Sequence, residues 1–500
     1  MLPKAKAKAG WRTGARRPAG VRRTASAGLL VAVGTGVGNV LAYGFNLVLS
    51  RGLGPGGYAE LGTLLSVFLI GSVPGMAVQA VNARRLAVAA DAPAARAALV
   101  RALRRRGLAA GAGVAAVFAA VAPAVAALLP SVTVGGVAWT GVSLAANTVF
   151  ASYLGIAQGT SRFVTMTVLY LTAHSTRLAI GAVGAAAQVS PTTVMAAQTA
   201  AWGLAAVAGR VLLRDKRRVS PRDEGRVGEA AVDSTAALNG GYLLGDAREL
   251  AASGAPAPEA GDTQTANNAK PAADTGGYLT EVLRATGGLG GILLLTVLDT
   301  LLASRYLVGE DLGRYNTGAL LARAAFFGPS FVAMLAFPRL ARPAERRRAL
   351  LVSLALTGGI GVLGVAIAGA GGNALIRVAF GTQYAEPGGF DLGAHGWLFA
   401  SVGALLALVN LALLDGVARR SHTVSAVVLG GIVVETGIVV GFAHGSPGAI
   451  VTAAAASALA TATASVTVCL TARTAAVADV EPAAESDPYR ITGAPDAARL

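Results

Sequence analysis

The sequence has few charged or aromatic residues and almost no cysteine. Cys469 is the only cysteine, which excludes an intrachain disulfide and any site built from two thiolates. Charged residues make up 14% of the chain, well below the roughly 25% of soluble domains. The sequence also lacks a Walker A motif, a Gly-x-Ser-x-Gly turn and a His/Cys/carboxylate cluster with metal-ligand spacing. We therefore predict no enzymatic activity, no cofactor and no metal site.

Long apolar runs take the place of these features. Hydrophobic residues make up 54% of the chain and the mean hydropathy is +0.59. Many runs reach the roughly 20 residues that a helix needs to cross a bilayer. The pattern predicts an all-α polytopic membrane protein whose twelve transmembrane helices cover 27–50, 58–82, 107–129, 133–157, 163–187, 192–213, 285–304, 316–338, 349–371, 393–414, 422–443 and 447–472.

The net charge of +16 comes from arginines in alternate short loops, a distribution that argues against a nucleic-acid partner. Ranges 84–106, 214–222 and 339–348 are strongly basic, as is the amino-terminal tail. Because basic loops stay on the cytoplasmic side, we predict a multi-pass protein of the cytoplasmic membrane with both termini inside. The same loops are expected to attract anionic membrane lipids.

A polar stretch rich in Ala, Gly, Pro and acidic residues divides the spans into six and six. We predict a basic cytoplasmic tail at 1–26, an N-terminal six-helix bundle at 27–213, a disordered cytoplasmic linker at 214–284, a C-terminal six-helix bundle at 285–472 and a disordered cytoplasmic tail at 473–500. With an even number of spans, both halves enter the membrane in the same direction. Their symmetry axis is then parallel to the membrane normal, and a cavity between them is the expected substrate site.

The two halves contain matching hairpins. The shared features are an apolar run ending in Ser-Arg, a turn that contains glycine and ends in tyrosine, a second apolar run with a proline, and a closing Arg-Leu-Ala: Ser50-Arg51, Tyr58, Pro74 and Arg85-Leu86-Ala87 in the first copy, and Ser304-Arg305, Tyr315, Pro329 and Arg339-Leu340-Ala341 in the second. The repetition indicates a duplicated transporter. The prolines are expected to bend their spans, and Arg51 and Arg305 to meet lipid headgroups or cap helix ends.

Five ionisable side chains are predicted to lie at membrane depth, where a charge is costly and usually faces a cavity or a partner. They are His174, Arg177, Asp299, Arg323 and Glu435. Arg323 follows Tyr315 by about 12 Å along the helix, and its repeat counterpart is an uncharged serine. Alternatives to a functional site are that Asp299 and Arg323 pair with each other, and that His174 and Arg177 bond to a helix carbonyl.

The hairpin sequences SRGLGPGGYAELG with PGMAVQAVNARRLA, and LDTLLASRYLVGEDLGRYNTGALLARAAFFGP, resemble the polysaccharide-transporter branch of the multidrug/oligosaccharidyl-lipid/polysaccharide (MOP) exporter superfamily. The resemblance implies two six-helix bundles in a MATE-like arrangement around a V-shaped central cavity. It also implies flipping of an undecaprenyl-pyrophosphate-linked oligosaccharide for bacterial surface polysaccharide biosynthesis, with the pathway's polymerase and glycosyltransferases as partners.

Arginine binds phosphate oxygens through a planar fork, so Arg177 and Arg323, one in each half, are the candidate ligands of this anionic substrate. His174 is a further candidate ligand. Asp299 either orients Arg323 and contacts substrate or takes part in ion coupling, for which Glu435 is the second candidate.

Three alternatives stay open at this point. A cation-coupled multidrug exporter of the same fold would have a cavity rich in acidic and aromatic residues. Aromatic residues make up only 5% of this chain, which counts against this alternative. A membrane-embedded polysaccharide polymerase or glycosyltransferase would have a large outer loop with catalytic side chains, whereas the one long loop here is predicted to be cytoplasmic. A scaffold that has lost transport is the third.

Overall fold

The computed structural model describes residues 19–89, 93–214 and 275–472, apart from gaps at 330–331, 334–335, 337–338, 341, 387–388 and 420. The predicted basic tail up to residue 18, the predicted linker over 215–274 and the predicted tail from 473 lie outside the described residues. Within the described ranges the protein forms twelve α-helices and no strand.

Six helices form each half of the described chain. The N-terminal half contains α1 (Ala19–Gly71), α2 (Val73–Ala87), α3 (Pro93–Leu128), α4 (Val134–Gly159), α5 (Phe163–Ala186) and α6 (Pro191–Leu212), and the C-terminal half contains α7 (Thr275–Tyr306), α8 (Gly309–Phe327), α9 (Pro343–Phe380), α10 (Leu392–Ala418), α11 (Thr423–Gly441) and α12 (Pro447–Thr471). Among the described residues, seven helical stretches are long and apolar enough to cross a membrane, and the two bent pieces of α7 together make an eighth. The predicted all-α polytopic fold is confirmed.

Capping residues account for where several helices begin. The side chains of Thr133, Ser190, Asp391 and Ser446 each accept a hydrogen bond from a backbone N–H of the first turn of α4, α6, α10 and α12, respectively. These bonds satisfy donors that have no partner inside the helix. Pro191 and Pro447 follow directly as first helical residues, where the missing N–H costs nothing.

Helices extend past two of the predicted domain boundaries. Helix α1 already begins at Ala19, inside the predicted tail 1–26, and α7 begins at Thr275, inside the predicted disordered linker 214–284. Helix α7 begins earlier than predicted because the side chains of Tyr278 and Val282 are buried, at 6% and 7% exposure. These apolar side chains pack against the N-terminal half, and the polar composition of the surrounding stretch hid them.

Both hairpins turn at a glycine with a left-handed backbone conformation. Gly54 interrupts α1 at φ 69°, and Gly309 begins α8 at φ 59°, values that glycine adopts without a steric penalty. We call α1 with α2 the first hairpin and α7 with α8 the second hairpin. We call the end of the molecule that carries these two glycines the hairpin end, and the opposite end the basic end.

The prolines of the hairpins lie where helices start or stop. Pro74 is in the first turn of α2, after the break at Ser72, and α8 ends at Phe327, before Pro329. The predicted bends in spans 2 and 8 are therefore breaks, as expected where a proline cannot donate to the preceding turn.

The two hairpins meet along a seam between α1 and α8. The Nδ2 atom of Asn316 donates to the carbonyl of Ala59 at 2.8 Å, and Nη2 of Arg323 donates to Oγ of Ser66 at 2.6 Å. Each pair is separated by 257 positions, as are Tyr58 and Tyr315, so each residue contacts its own repeat counterpart. Two residues that are related by a twofold axis can touch only if both lie next to that axis. Because the two contacts are about two helical turns apart, this pseudo-twofold axis runs along the helices.

Candidate functional site

In the N-terminal half, a network of polar side chains holds Arg177 of α5. The residue is 7% exposed, and its Nε and Nη2 atoms donate to Oε1 of Gln198 at 3.1 and 2.8 Å. Gln198, on α6, donates in turn to Oγ of Ser143 on α4 at 3.2 Å. The guanidinium is thus fixed by three neighbouring helices rather than by a helix carbonyl.

Aromatic rings surround the same guanidinium. Its Cζ atom lies 4.5 Å from the ring centroid of Phe45, 5.0 Å from that of Trp202 and 5.9 Å from that of Phe68. Ring faces attract a cation, and more strongly where water is excluded. No carboxylate of the described residues lies within 4.0 Å of Arg177, so the rings and an amide oxygen are what stabilise the buried charge.

His174 belongs to this aromatic cage. It is 6% exposed and makes edge-on contacts with Tyr170 and Trp202, at centroid distances of 4.4 and 5.8 Å. Its Nδ1 atom is buried and has no hydrogen-bond partner among the described residues. The structure therefore brings together His174 and Arg177, as their spacing predicts, and Trp202 contacts both.

In the C-terminal half, the acidic candidates form a second buried cluster. Asp299 of α7 is 3% exposed. Its two carboxylate oxygens accept hydrogen bonds from the hydroxyls of Tyr315, at 3.1 Å, and Thr300, at 3.2 Å. Glu435 of α11, a helix that packs against α7, is also 3% exposed, and its Oε1 has no partner within the described chain.

Arg323 lies beside this cluster without forming an ion pair in it. Within the described ranges no carboxylate oxygen lies within 4.0 Å of its guanidinium, and its buried Nε has no partner there. Its Nη2 donates to Ser66 across the seam. The alternative in which Asp299 and Arg323 pair directly is therefore wrong, since each binds a neutral hydroxyl instead.

Several side chains of the two clusters were not predicted as site residues: Ser66, Ser143, Gln198, Trp202, Thr300 and Tyr315. Two signals were present in the sequence. Gln198 and Trp202 are four residues apart on one helix face, and Tyr315 is the repeat counterpart of Tyr58. The partner of Arg177 could not be found this way, because α5 and α6 pack in a register that only the fold determines.

At the hairpin end, the turn of the first hairpin is clasped by the 3₁₀ turn Thr382–Tyr384 of the other half. The hydroxyl of Tyr384 donates to the carbonyl of Ser50 at 2.8 Å, and Nε2 of Gln383 donates to the carbonyl of Arg51 at 2.7 Å. Burial raises the pKa of Tyr384, which keeps its hydroxyl protonated as a donor. Arg51 donates to the carbonyl of Val378 at 3.2 Å, and so caps α9 as predicted for a helix end.

Solved structures share this architecture. A multidrug resistance MATE family transporter of the MOP superfamily, in an inward-facing conformation, is 12% identical and has a TM-score of 0.60, over 86% of this chain and 94% of that one. The fold is MATE-like. The lipid II flippase MurJ in an inward closed conformation is 9% identical with a TM-score of 0.59, over 88% and 87% of the two chains.

The eukaryotic MATE transporter AtDTX14 has the same MATE-like fold, at 9% identity and a TM-score of 0.55 over 91% of this chain and 97% of that one. No protein-family model and no curated protein matches the sequence. The likeness is therefore one of fold, and it confirms the MATE-like all-α fold implied by the hairpin sequences. The central cavity between the halves stays a prediction. The roles of His174, Arg177, Asp299, Arg323 and Glu435 stay predictions.

Proposed function

We propose that the protein is a membrane transporter that flips an undecaprenyl-pyrophosphate-linked oligosaccharide from the inner to the outer leaflet of the cytoplasmic membrane by alternating access. One observation carries the proposal: each half holds an arginine, the buried Arg177 or the half-buried Arg323, without a carboxylate within 4.0 Å among the described residues. An uncompensated buried cation is costly. A transient anionic ligand would compensate this charge during transport.

Arg323 is the more exposed of the two cations and the better placed to bind substrate. It is partly exposed and lies on the seam between the halves, where its one hydrogen-bond partner among the described residues is the hydroxyl of Ser66. A phosphate oxygen is a stronger acceptor for a guanidinium than a neutral hydroxyl. When the seam opens, a pyrophosphate can replace Ser66. Arg177 supplies positive potential on the other side of the path.

We assign ion coupling to the buried pair Asp299 and Glu435. Asp299 accepts a hydrogen bond from Tyr315, which lies about two turns before Arg323 on α8. Binding of a proton or a metal cation at Asp299 would change this bond, and α8 would carry the change to Arg323. In this way the driving ion and the substrate anion act on one helix.

A cation-coupled multidrug exporter is the second candidate, favoured by the multidrug MATE transporter of the same fold and by the aromatic cage. Phe45, Phe68 and Trp202 would suit an organic cation, but Arg177 fills that place in this chain. The occupied cage favours an anionic substrate. The enzyme alternative has less support, because the similar structures are those of transporters and a flippase.

The orientation belongs to the same proposal. The arginine-rich loops at the basic end favour both termini in the cytoplasm and the hairpin end outside. The polymerase and glycosyltransferases of the pathway would then act on either side of the membrane, supplying the lipid-linked sugar inside and consuming it outside.

The test uses a deletion strain and purified protein. Deletion should cause lipid-linked oligosaccharide to accumulate in the inner leaflet, and the wild-type gene should reverse this. In proteoliposomes, the wild type should expose a fluorescent undecaprenyl-pyrophosphate glycan to an outside quencher. Arg177→Met and Arg323→Met preserve most of the side-chain volume and should fail, whereas the exposed Arg210→Met should not. If deletion instead leaves surface glycan intact and raises drug sensitivity, the exporter is the correct function.

A further inference from the structure

Three polar side chains lie along the first segment of α1, between the basic end and the turn at Gly54. Asn39, Tyr43 and Asn46 are spaced by four and then three residues, which places them on one face of the helix. Asn39 is exposed, and Tyr43 and Asn46 are half-buried. We call these three residues the polar strip. It lies within a helical stretch that is apolar and long enough to cross a membrane.

A tyrosine contacts the polar strip on each side. The hydroxyl of Tyr170 on α5 donates to Oδ1 of Asn39 at 3.0 Å, and the hydroxyl of Tyr58, in the second segment of α1, donates to Oδ1 of Asn46 at 3.5 Å. The strip therefore lies between α5 and the segment of α1 that forms the seam with α8.

The amide of Asn39 has hydrogen-bonding capacity to spare. Its oxygen accepts the bond from Tyr170, whereas no acceptor among the described residues binds its nitrogen, which carries two donors. An unpaired amide exposed to hydrocarbon is costly, and polar side chains at membrane depth usually face a cavity. A bond that only joined α1 to α5 would not require the amide to be exposed. The position of Asn39 thus indicates a face in contact with water.

The polar strip and Arg323 lie at similar depths. Asn39 precedes the turn at Gly54 by about 22 Å along the helix, and Ser66, the partner of Arg323, follows that turn by about 18 Å. Because both segments lead away from the same turn toward the basic end, Asn39 and Arg323 differ in depth by about one helical turn. Asn39 is the nearer of the two to the basic end, from which a cytoplasmic substrate would arrive.

A sugar hydroxyl is the ligand that suits these groups. An amide both donates and accepts hydrogen bonds, as a hydroxyl does, and a few such polar groups fix the orientation of a ligand in its site. The strip itself is uncharged, so it suits a neutral group rich in hydroxyls better than a phosphate or a cation. We propose that Asn39, held by Tyr170, binds a sugar hydroxyl, and that the polar strip is the subsite for the sugar next to the pyrophosphate.

This inference rests on the proposed function, since it assigns the glycan of the same substrate whose pyrophosphate binds Arg323. A guanidinium binds the pyrophosphate of every lipid of this class alike, so it cannot distinguish one glycan from another. Hydrogen bonds to particular hydroxyls can make that distinction. Asn39 is therefore a specificity-determining residue, and Tyr170 is a positioning residue that orients its amide.

The experiment measures the affinity of the full chain, in nanodiscs of phosphatidylcholine, for undecaprenyl pyrophosphate and for the same lipid carrying one glucose. The sugar should tighten binding to the wild type. Asn39→Leu should reduce this gain about two- to twelvefold, the equivalent of one neutral hydrogen bond, and should leave the Kd of undecaprenyl pyrophosphate unchanged. Tyr170→Phe should reduce the gain less, because the amide remains. Arg323→Met should weaken the binding of both lipids by the same factor.

The matched control is Gln158→Leu, which removes another amide that joins two helices of the N-terminal half, through a 3.2 Å bond from Gln79. It should leave the gain from the sugar unchanged. An Asn39→Leu protein that keeps the full gain would overturn the sugar subsite. Equal losses of affinity for both lipids would also overturn it, since Asn39 would then only join α1 to α5.

The contact of the strip with water is tested separately. In a Cys469→Ala background, Asn39→Cys should react with a charged thiol reagent that does not enter hydrocarbon, and the lipid carrying glucose should slow this reaction. Val433→Cys, at a position of α11 that is 71% exposed among other exposed apolar residues, should stay unreactive. An unreactive Asn39→Cys would place the strip against lipid and overturn the inference.

The outcomes also separate this inference from the proposed function. If proteoliposomes flip the lipid-linked glycan while Asn39→Leu keeps the full gain from the sugar, the subsite is wrong and the function stands. If the gain from the sugar depends on Asn39 but no flipping occurs, the subsite stands and the proposed function is wrong.

Discussion

The first and second hairpins are built alike where the chain turns and differently where they carry charge. Ser50 and Ser304 each donate a hydroxyl to the carbonyl three residues earlier, at 3.0 and 2.7 Å, and a left-handed glycine follows in both turns. Tyr58 and Tyr315 are both fully buried, and each donates back across the turn to the helical segment before it. These shared features are the ones needed to form a hairpin.

The acceptors of the two tyrosines show the difference. Tyr58 reaches the amide of Asn46 at 3.5 Å, whereas Tyr315 reaches the carboxylate of Asp299 at 3.1 Å. On the seam, the first hairpin supplies the neutral Ser66 and the second its charged counterpart Arg323. The comparison teaches that a symmetric scaffold has kept its turns and changed its chemistry on one side only.

Arg323→Met tests the charged side of the comparison and should have the largest effect. A hydrogen bond to a charged group contributes about 1.5–3 kcal/mol, so losing it to pyrophosphate should reduce flipping about 10- to 150-fold in proteoliposomes. The reciprocal change on the first hairpin, Ser66→Ala, removes a neutral acceptor that the substrate replaces, and flipping should fall less than about threefold. Equal losses for both variants would show that the seam, rather than the charge, is what matters.

Gly313→Ala tests how closely the hairpins approach. A Cβ atom at Gly313 would collide with the backbone carbonyl of Pro55, whereas its repeat counterpart Gly56 has open space around it. Backbone cannot move aside as a side chain can, so we expect the Gly313 variant to lose about 3 kcal/mol of unfolding free energy, the upper end for overpacking. Gly56→Ala should be neutral or slightly stabilising. Thermal unfolding in detergent measures both, and a stable Gly313→Ala protein would contradict the close seam.

The sequence alone predicted the helices well, because every predicted span overlaps a helical segment of the described chain. Apolar runs, capping residues and the repeated Ser-Arg and tyrosine positions are local signals, and they were enough to predict the hairpins. Buried charges at membrane depth were also recognisable, since Asp299 and Glu435 are conspicuous in apolar runs.

What the sequence could not predict is which of these charges meet. The partners of Arg177 and Arg323 are Gln198 and Ser66, and both depend on how helices distant in sequence pack. The start of α7 at Thr275 was missed because Tyr278 and Val282 occur in a stretch of polar composition, and their burial depends on packing against the N-terminal half. Contacts between halves are long-range properties that hydrophobic periodicity does not encode.

Tyr315→Phe and Tyr58→Phe compare the two tyrosine bonds directly. Removing the hydroxyl from Tyr315 leaves the carboxylate of Asp299 with one fewer donor, and we expect a loss of about 2 kcal/mol, within the range for hydrogen bonds to charged groups. The longer bond of Tyr58 to an amide should cost less than about 1 kcal/mol. Chemical denaturation of both variants measures the difference, and similar losses would mean that Asp299 is not charged in the folded protein.

The smallest effect is expected from Tyr384→Phe, which tests a contact of the first hairpin alone. Its turn is clasped at Ser50 by the Tyr384 hydroxyl, a neutral hydrogen bond with a net contribution of about 0.5–1.5 kcal/mol. If this clasp closes the hairpin end, its loss should raise the ratio of open to closed molecules about two- to twelvefold, measured by label distances across that end. Ser421→Ala, which removes exposed hydrogen bonds of 3.2 and 3.4 Å to Thr423 at the start of α11, is the control. An unchanged ratio would mean that the seam at Asn316 and Arg323, and not the clasp, keeps that end closed.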